Sequence, residues 1–286
     1  MPDTHPSILG ALAALREGDI DAALRACDVA ATSEPLAASL AAHLRREGDV
    51  DVYADGRAFR AFVDSGANRV LYAGTIDALA ALHAERRPAT VVDLGAGDGR
   101  VAVPLAAARP GVAWTLVDRS ADQLGEAQAA LAAAGVPATV VEADLLAFAR
   151  GLADASVDGV QGTFAVHNLD ADGRRALFAE LRRAARWVAV VEFDVPDSAS
   201  DPDAWLAFLA DRYRVALREH AAEPLVVEGF LMPVLVGQLA PGRPRVTWEQ
   251  PIDAWMQELR AAGFTRVERR PAAPFWWAQA WLVVAD

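Results

Sequence analysis

From Ile8 to Glu47 apolar residues recur at helical spacing, rich in Ala and Leu and broken at Gly18-Asp19 and Glu34-Pro35, which predicts two or three helices. A second helical stretch, roughly Gly56 to Glu85, carries Phe59, Phe62, Val63, Val70, Leu71 and Tyr72 around a break at Gly66. Together they predict an α-helical N-terminal cap over residues 1–88. After Arg87-Pro88 β-branched runs alternate with Ala- and Leu-rich helical stretches, the pattern of βα units around a parallel sheet, so an α/β domain is expected over residues 89–286. Strands are expected at Thr90-Leu94, Ala113-Val117, Ala138-Glu142, Val157-Thr163, Trp187-Phe193, Thr265-Arg269 and Ala280-Ala285. Helices are expected near Arg100-Ala108, Ser120-Ala134, Leu145-Ala153, Asp172-Ala185 and Ile252-Ala262. An insertion over about residues 195–246, with a helical piece from Asp203 to His220 and the apolar segment at 229–240, has the length of a functional lid.

Composition narrows the function classes. At 286 residues and 53% hydrophobic, the chain has ample material for a core. Its net charge of -12 would repel a phosphate backbone, which argues for a small-molecule substrate and against nucleic acid. One cysteine, Cys27, closes no intrachain disulfide, and no apolar run is long enough to span a membrane; the start of the chain lacks a basic leader. A cytoplasmic location is the expectation. No His, Cys, Asp or Glu cluster has metal-ligand spacing, so no metal is expected.

The most informative segment is VVDLGAGDGR, Val91 to Arg100, where an apolar strand ends in a loop holding Gly95, Gly97 and Gly99 and a helix follows. Glycines there permit positive φ and let a ligand approach the backbone, so a nucleotide-type site is expected at the carboxyl end of the first strand. The dinucleotide fingerprint places its third glycine where this chain has Arg100, and no Walker-type phosphate loop is present. Asp93, just before the loop, is placed to accept from a bound ammonium, directly or through water. Asp118 ends the second strand, where an acidic side chain holds ribose hydroxyls, and Asp144 follows the third strand beside the expected adenine edge. The alternative for Asp144 is a helix N-cap, and for Asp118 a solvated strand-end carboxylate.

DLGAGDG, LVDRS, EADLL and GTFAVHNL, in this order, resemble the successive motifs of class I S-adenosylmethionine-dependent methyltransferases of the small-molecule type. The likeness covers roughly Tyr72 to Asp194 and again Trp248 to the end, where WEQPIDAWMQELRAAGFTRVE is similar to the family's last helix and strand. It implies a Rossmann-like seven-stranded sheet in the order 3-2-1-4-5-7-6 with strand seven antiparallel, and S-adenosyl-L-methionine as cofactor. By residue it implies Asp93, Gly95, Ala96 and Gly97 at the methionine moiety, Asp118 and Arg119 at ribose and adenine, and Asp144 and Leu145 at the adenine. Thr163 and Phe164 would lie under the sulfonium end.

On the acceptor side, His167 follows the fourth strand and is a candidate base or substrate contact, or else a packed histidine. Glu192 and Asp194 end the fifth strand and share a face by alternation; each reads as a substrate contact or as a loop-capping carboxylate. In the cap, Tyr53, Arg69 and Tyr72 are polar groups in an apolar pattern, with Tyr53 a catalytic candidate and Arg69 and Tyr72 candidates to grip the cofactor carboxylate. A helix-interface tyrosine with a satisfied hydroxyl is the alternative. Eight tryptophans, among them Trp205, Trp276, Trp277 and Trp281, together with Phe275, would wall an apolar slot for a flat ring or equally serve as core or as a homodimer interface. Phe230, Leu231, Met232 and Pro233 suit an apolar cover or a buried helix.

The resulting expectation is methyl transfer to a small aromatic or heterocyclic acceptor, indole-type among them, in natural-product biosynthesis. A methyltransferase-like cyclase and a non-catalytic S-adenosylmethionine-binding protein are the alternatives.

Overall fold

The structure, a computed structural model, describes residues 8–46, 56–241 and 247–286. In chain order the elements are α1 (Ile8–Arg16), α2 (Ile20–Ala30), α3 (Pro35–Arg45), α4 (Gly56–Val63), α5 (Gly66–Arg86), β1 (Thr90–Leu94), α6 (Ala102–Ala107), β2 (Ala113–Asp118), α7 (Ala121–Ala134) and β3 (Ala138–Glu142). There follow α8 (Leu145–Gly151), β4 (Val157–Thr163), a 3-10 turn (Val166–Asn168), α9 (Ala171–Ala184), β5 (Ala185–Phe193), α10 (Pro202–Glu219) and α11 (Pro224–Val226). A π-helical turn (Val227–Leu231), α12 (Met232–Leu239), α13 (Ile252–Ala261), β6 (Val267–Ala273) and β7 (Ala280–Ala285) complete it. Among the described residues no helix is long and apolar enough to cross a membrane.

The chain forms two compact units. One combines the described parts of Met1–Arg69 and Pro196–Arg245, and the other combines Val70–Val195 with Val246–Asp286. The helical cap expected over 1–88 therefore gives way after Arg69, and the insertion expected within the α/β domain packs with the N-terminal helices. The first unit is all helix. Leu12 and Leu15 of α1, Leu36 and Leu40 of α3, Leu209 and Tyr213 of α10 and Leu235 of α12 are fully buried in it. Asp19 caps α2 by accepting the Ala22 N–H at 2.8 Å, and Pro35 starts α3, where its missing N–H costs nothing. Phe62 of α4 stacks on Phe230 of the π turn at 4.3 Å, and Trp205 stacks on Phe208 along α10.

The second unit is a seven-stranded sheet in the order β3-β2-β1-β4-β5-β7-β6. β1 to β5 are parallel, whereas β7 runs antiparallel to both β5 and β6. β1 and β4 are neighbours although two βα units separate them in sequence, so the order reverses there and a crevice opens at their carboxyl ends. β6 starts at Val267 rather than Thr265 and carries an irregularity between Pro271 and Ala273, because proline has no N–H for the ladder.

Parallel register fixes the faces of this sheet. Trp114 pairs with Val91, Gly159 with Val91 and with Trp187, and Gln161 with Asp93, so these side-chain positions share one face. α5 lies on that face: its His83 ring packs between Trp114 and Trp187, with centroids 5.5 and 5.7 Å away. The opposite face buries Leu177, Phe178 and Leu181 of α9 and Ile252, Trp255 and Leu259 of α13. α5 thus belongs to the α/β sheet from Val70 onward, since its aromatic and polar residues find their partners there.

Gly159 is the tightest point of the α5 face, because a Cβ added there would lie 2.0 Å from the Trp187 ring. Gly159→Ala is expected to cost about 1–3 kcal/mol by overpacking. Urea denaturation would show this as a lower midpoint with unchanged slope; a midpoint equal to the parent's would contradict the packing of Trp187 over β4.

Candidate active site

β1 delivers the chain into Gly95-Ala96-Gly97-Asp98-Gly99, in which all three glycines have positive φ (+73°, +54° and +78°). At Gly95 the need is also steric, since a Cβ would lie 2.2 Å from the Ala165 Cβ. The Gly95 and Ala96 N–H groups donate to the Val117 carbonyl at 2.8 and 3.0 Å, which pins the loop to the end of β2. Asp118 completes the fixation: one oxygen accepts the Gly97 N–H and the other the Ser120 N–H, both at 2.9 Å. A carboxylate oxygen has capacity for a second donor, so Asp118 shapes the loop and still has lone pairs for a diol. The helix expected from Arg100 begins only at Ala102, because Asp98 turns back to accept from the Arg100 backbone and side chain.

Asp93 is 2% exposed, and among the described residues its hydrogen-bond donor is the Gln161 amide at 3.2 Å. Burial pushes its carboxyl up to about 7, with the nearby Asp118 charge acting in the same direction and the Gln161 hydrogen bond opposing. An ammonium arriving at the crevice would relieve that cost. Thr163, at the end of β4, has its hydroxyl oxygen buried without a partner among the described residues. Phe164 follows with φ +50°, a conformation that a bulky residue adopts only where its surroundings impose it. Those surroundings are aromatic. Phe164 stacks on Phe193 at 4.6 Å, Phe193 stacks on Phe275 at 5.6 Å, and Tyr72 of α5 meets Phe164 edge-on at 6.2 Å. Arg100 lies over the Tyr72 ring at 5.0 Å.

The other sequence candidates fall into different places. Arg119 is exposed at the end of β2, and Leu145 is half-buried at the start of α8. Asp144 caps α8, its Oδ1 accepting the Leu146 and Ala147 N–H groups at 2.9 and 3.0 Å, so the helix-cap reading describes that oxygen. Arg69 is exposed on α5, one turn before Tyr72. Tyr53 lies outside the described residues. Asp194 accepts the Ile252 N–H on its Oδ1 at 2.9 Å at the start of α13, which is the capping role for that oxygen.

His167 and Glu192 are brought together. The His167 Nδ1 is 2.7 Å from Glu192 Oε2, and Glu192 Oε1 accepts the backbone N–H groups of Val166 and His167 at 3.1 and 3.2 Å. Glu192 is completely buried, whereas the His167 side chain is 12% exposed. Burial alone would lower the imidazole, but the charge and hydrogen bond of Glu192, with the charge of Glu249, outweigh it and the opposing Arg174, raising it to about 9. Arg174 and Gln161 lie outside the quoted motifs, and Glu249 lies within the C-terminal segment without having been singled out. Gln161 carried a signal: it is a lone amide in the apolar strand VDGVQGT. Among the described residues no group of three or more His, Cys, Asp or Glu is placed to hold a metal ion.

Residues 91–187 match the family described as a methyltransferase domain. No curated protein sequence matches the chain. Among solved structures it is similar to an O-methyltransferase family protein from Burkholderia thailandensis, with 16% identity, 82% of this chain and 61% of that one covered, and a TM-score of 0.55. It is also similar to magnesium protoporphyrin IX methyltransferase from Synechocystis with bound S-adenosylhomocysteine, with 19% identity, 82% and 96% covered, and a TM-score of 0.53. Mitomycin 7-O-methyltransferase shares 18% identity over 96% of this chain and 75% of that one, with a TM-score of 0.53. The chain spans 61% of the Burkholderia protein and 58% of a similar Nostoc punctiforme protein. At these identities the likeness establishes a shared fold.

The crevice fits S-adenosylmethionine on observations of its own: a glycine loop of positive φ at Gly95 and Gly97, a buried carboxylate at Asp93, a hydroxyl at Thr163 without a partner among the described residues, and spare lone pairs on Asp118. Asp118→Ala removes a charge-assisted contact and two loop hydrogen bonds together. It is expected to cost about 1.5–3 kcal/mol, roughly ten- to a hundredfold in S-adenosylhomocysteine affinity. Calorimetry would measure it, and unchanged affinity would exclude Asp118 from the site.

Proposed function

We propose that this chain, whose α/β unit is a class I S-adenosylmethionine-dependent methyltransferase domain, transfers a methyl group to a hydroxyl on a small aromatic acceptor. The observation that carries this reading is the His167–Glu192 pair at the carboxyl ends of β4 and β5. S-Adenosylmethionine, when bound, supplies a methyl carbon activated by its sulfonium, with a neutral thioether as leaving group. What the chain must add is positioning of the acceptor and removal of its proton.

Asp93, Gly95, Ala96 and Gly97 are assigned to the methionine end, and Asp118 to the ribose with Arg119 beside it. Leu145 and Asp144 are assigned to the adenine, and Thr163, Phe164, Tyr72 and Arg69 to the sulfonium and carboxylate end. Glu192 accepts the His167 Nδ1 proton, so the neutral ring carries its lone pair on Nε2 and that nitrogen takes the acceptor's proton. The two backbone N–H groups on the other oxygen keep Glu192 fixed as the ring becomes a cation.

The raised imidazole favours one acceptor chemistry. A base of about 9 lies near the ~10 of a phenolic hydroxyl, so proton transfer between them is nearly balanced, whereas an aliphatic alcohol is far weaker as an acid. The stacked faces of Phe164, Phe193 and Phe275 suit a flat ring, hydroxylated indoles included.

The test is formation of S-adenosylhomocysteine with a panel of phenolic and heteroaromatic hydroxyl compounds. The neutral ring is the active form, so kcat is expected to rise with pH through the interval up to about 9 and then level. Glu192→Gln removes the charge that raises the ring, so the midpoint is expected to fall while kcat also falls. His167→Ala is expected to lower kcat by about 10²–10⁴-fold with cofactor affinity intact. Full activity of His167→Ala toward every accepted hydroxyl would remove the base from the mechanism.

A further inference from the structure

Below the crevice, on the face of the sheet covered by α5, lies a line of polar side chains that methyl transfer itself does not use. Gln161 is fully buried in the middle of β4 and, in register with Asp93, donates its Nε2–H to that carboxylate at 3.2 Å. Its Oε1 is buried without a hydrogen-bond partner among the described residues. His83 of α5 is also fully buried, with both ring nitrogens unpartnered among the described residues, wedged between Trp114 and Trp187. Gln161 is a polar side chain on the same face of the sheet and close enough to act on the ring electrostatically. An orphaned acceptor opposite an orphaned ring nitrogen is a hydrogen bond waiting for the right tautomer, because a neutral imidazole always has one N–H to give.

We propose that His83 and Gln161 are positioning residues for cofactor binding: the neutral His83 ring holds Gln161 Oε1, which aims Gln161 Nε2 at Asp93 and keeps Asp93 ionised for the cofactor's ammonium. This rests on the assignment of Asp93 to the methionine end of S-adenosylmethionine.

The electrostatics agree with that geometry. His83 must stay neutral to act as a donor of fixed tautomer, and burial, aided by the Arg109 charge, lowers it to about 4. Asp93 faces Gln161 from β4 and the Asp118 charge from β2; burial and Asp118 raise it, and the Gln161 hydrogen bond is the contact that draws it back. The carboxylate therefore titrates near 7, where a single hydrogen bond decides how much of it is charged. Below that range Asp93 is protonated and loses its attraction for an ammonium, so cofactor affinity falls as pH falls. Trp114 and Trp187 pack on the His83 ring, and a hydrogen bond between His83 and Gln161 would relieve the cost of burying both polar groups.

S-Adenosylhomocysteine carries the same ammonium and is the probe, its affinity measured by calorimetry from pH 5.5 to 9. The parent is expected to gain affinity through a midpoint near 7, and Asp93→Asn to show weak binding without that dependence. Gln161→Leu is expected to move the midpoint up by about one unit, losing about fivefold at pH 7 and recovering by pH 9. His83→Leu should shift it the same way, and His83→Gln, which can still donate an N–H, should restore it. Should Gln161→Leu fail to fold, the His83 pair decides the matter. Loss of affinity by the same factor at every pH would mean that these residues only support the structure, and the proposal falls. If the parent itself binds no S-adenosylhomocysteine at any pH, the cofactor assignment falls with it.

Discussion

The contact on which the α/β unit's site depends is the approach of Gly95 to Ala165 at the carboxyl ends of β1 and β4. Any side chain at 95 would sit 2.2 Å from the Ala165 Cβ, so this approach exists because position 95 has none. The glycine loop on one side of the crevice and the turn carrying His167 on the other are brought together by that single absence. The positive φ of Gly95 then sends the loop toward β2, where Val117 and Asp118 receive its N–H groups. The glycine loop and the His167 turn thus lie together across the point where the strand order reverses.

The two faces of the sheet divide the work. On the α5 face, Trp114, Trp187 and His83 form a lower layer, Asp93 and Gln161 a polar layer, and Phe193, Phe164 and Tyr72 an aromatic layer at the crevice. Tyr72 and His83 lie eleven positions apart on α5, about three helical turns, so one helix face serves the top and the bottom of this stack. Glu192 points to the opposite face, where α9 and α13 pack, and reaches His167 at the sheet's edge.

That second face is organised by Arg174. Its five N–H donors are all engaged: two on Glu258 at 2.8 Å, one on Gln250, and one each on the carbonyls of Leu169 and Trp248, with the guanidinium over Trp255. A buried cation is tolerated because nothing on it is left unpaired. Through these bonds the segment 247–250 is fixed, and its Trp248 N–H in turn holds the His167 carbonyl at 2.6 Å. Glu249, whose charge helps raise His167, is carried in by that segment and held by the Trp277 indole at 3.1 Å.

Local pattern was enough for the strands and for the glycine loop, because β-branched runs and positive-φ glycines declare themselves within a few residues. The resemblance carried the strand order and the cofactor; the Asp93 and Asp118 expectations rested on it together with their strand-end positions, and His167 on its place after the fourth strand. Asp144 and Asp194 show what the sequence leaves open: a carboxylate at a strand end is the same letter whether it caps a helix, meets a ligand or does both, and the donors beside it are set in three dimensions. The place of α5 was likewise closed to the sequence, since its helical spacing is satisfied by any apolar partner and the sheet became that partner in three dimensions. Gln161 is visible in the chain as one amide among valines and glycines; that it lies against Asp93 and His83 depends on the register of β4 against β1 and on a helix 75 residues earlier or more, depending on the end of α5 from which one counts. Sequence determines which residues can do chemistry and which local shapes they prefer. Long-range pairing decides which of them meet, because the contacts that set charge and orientation join residues that are distant along the chain.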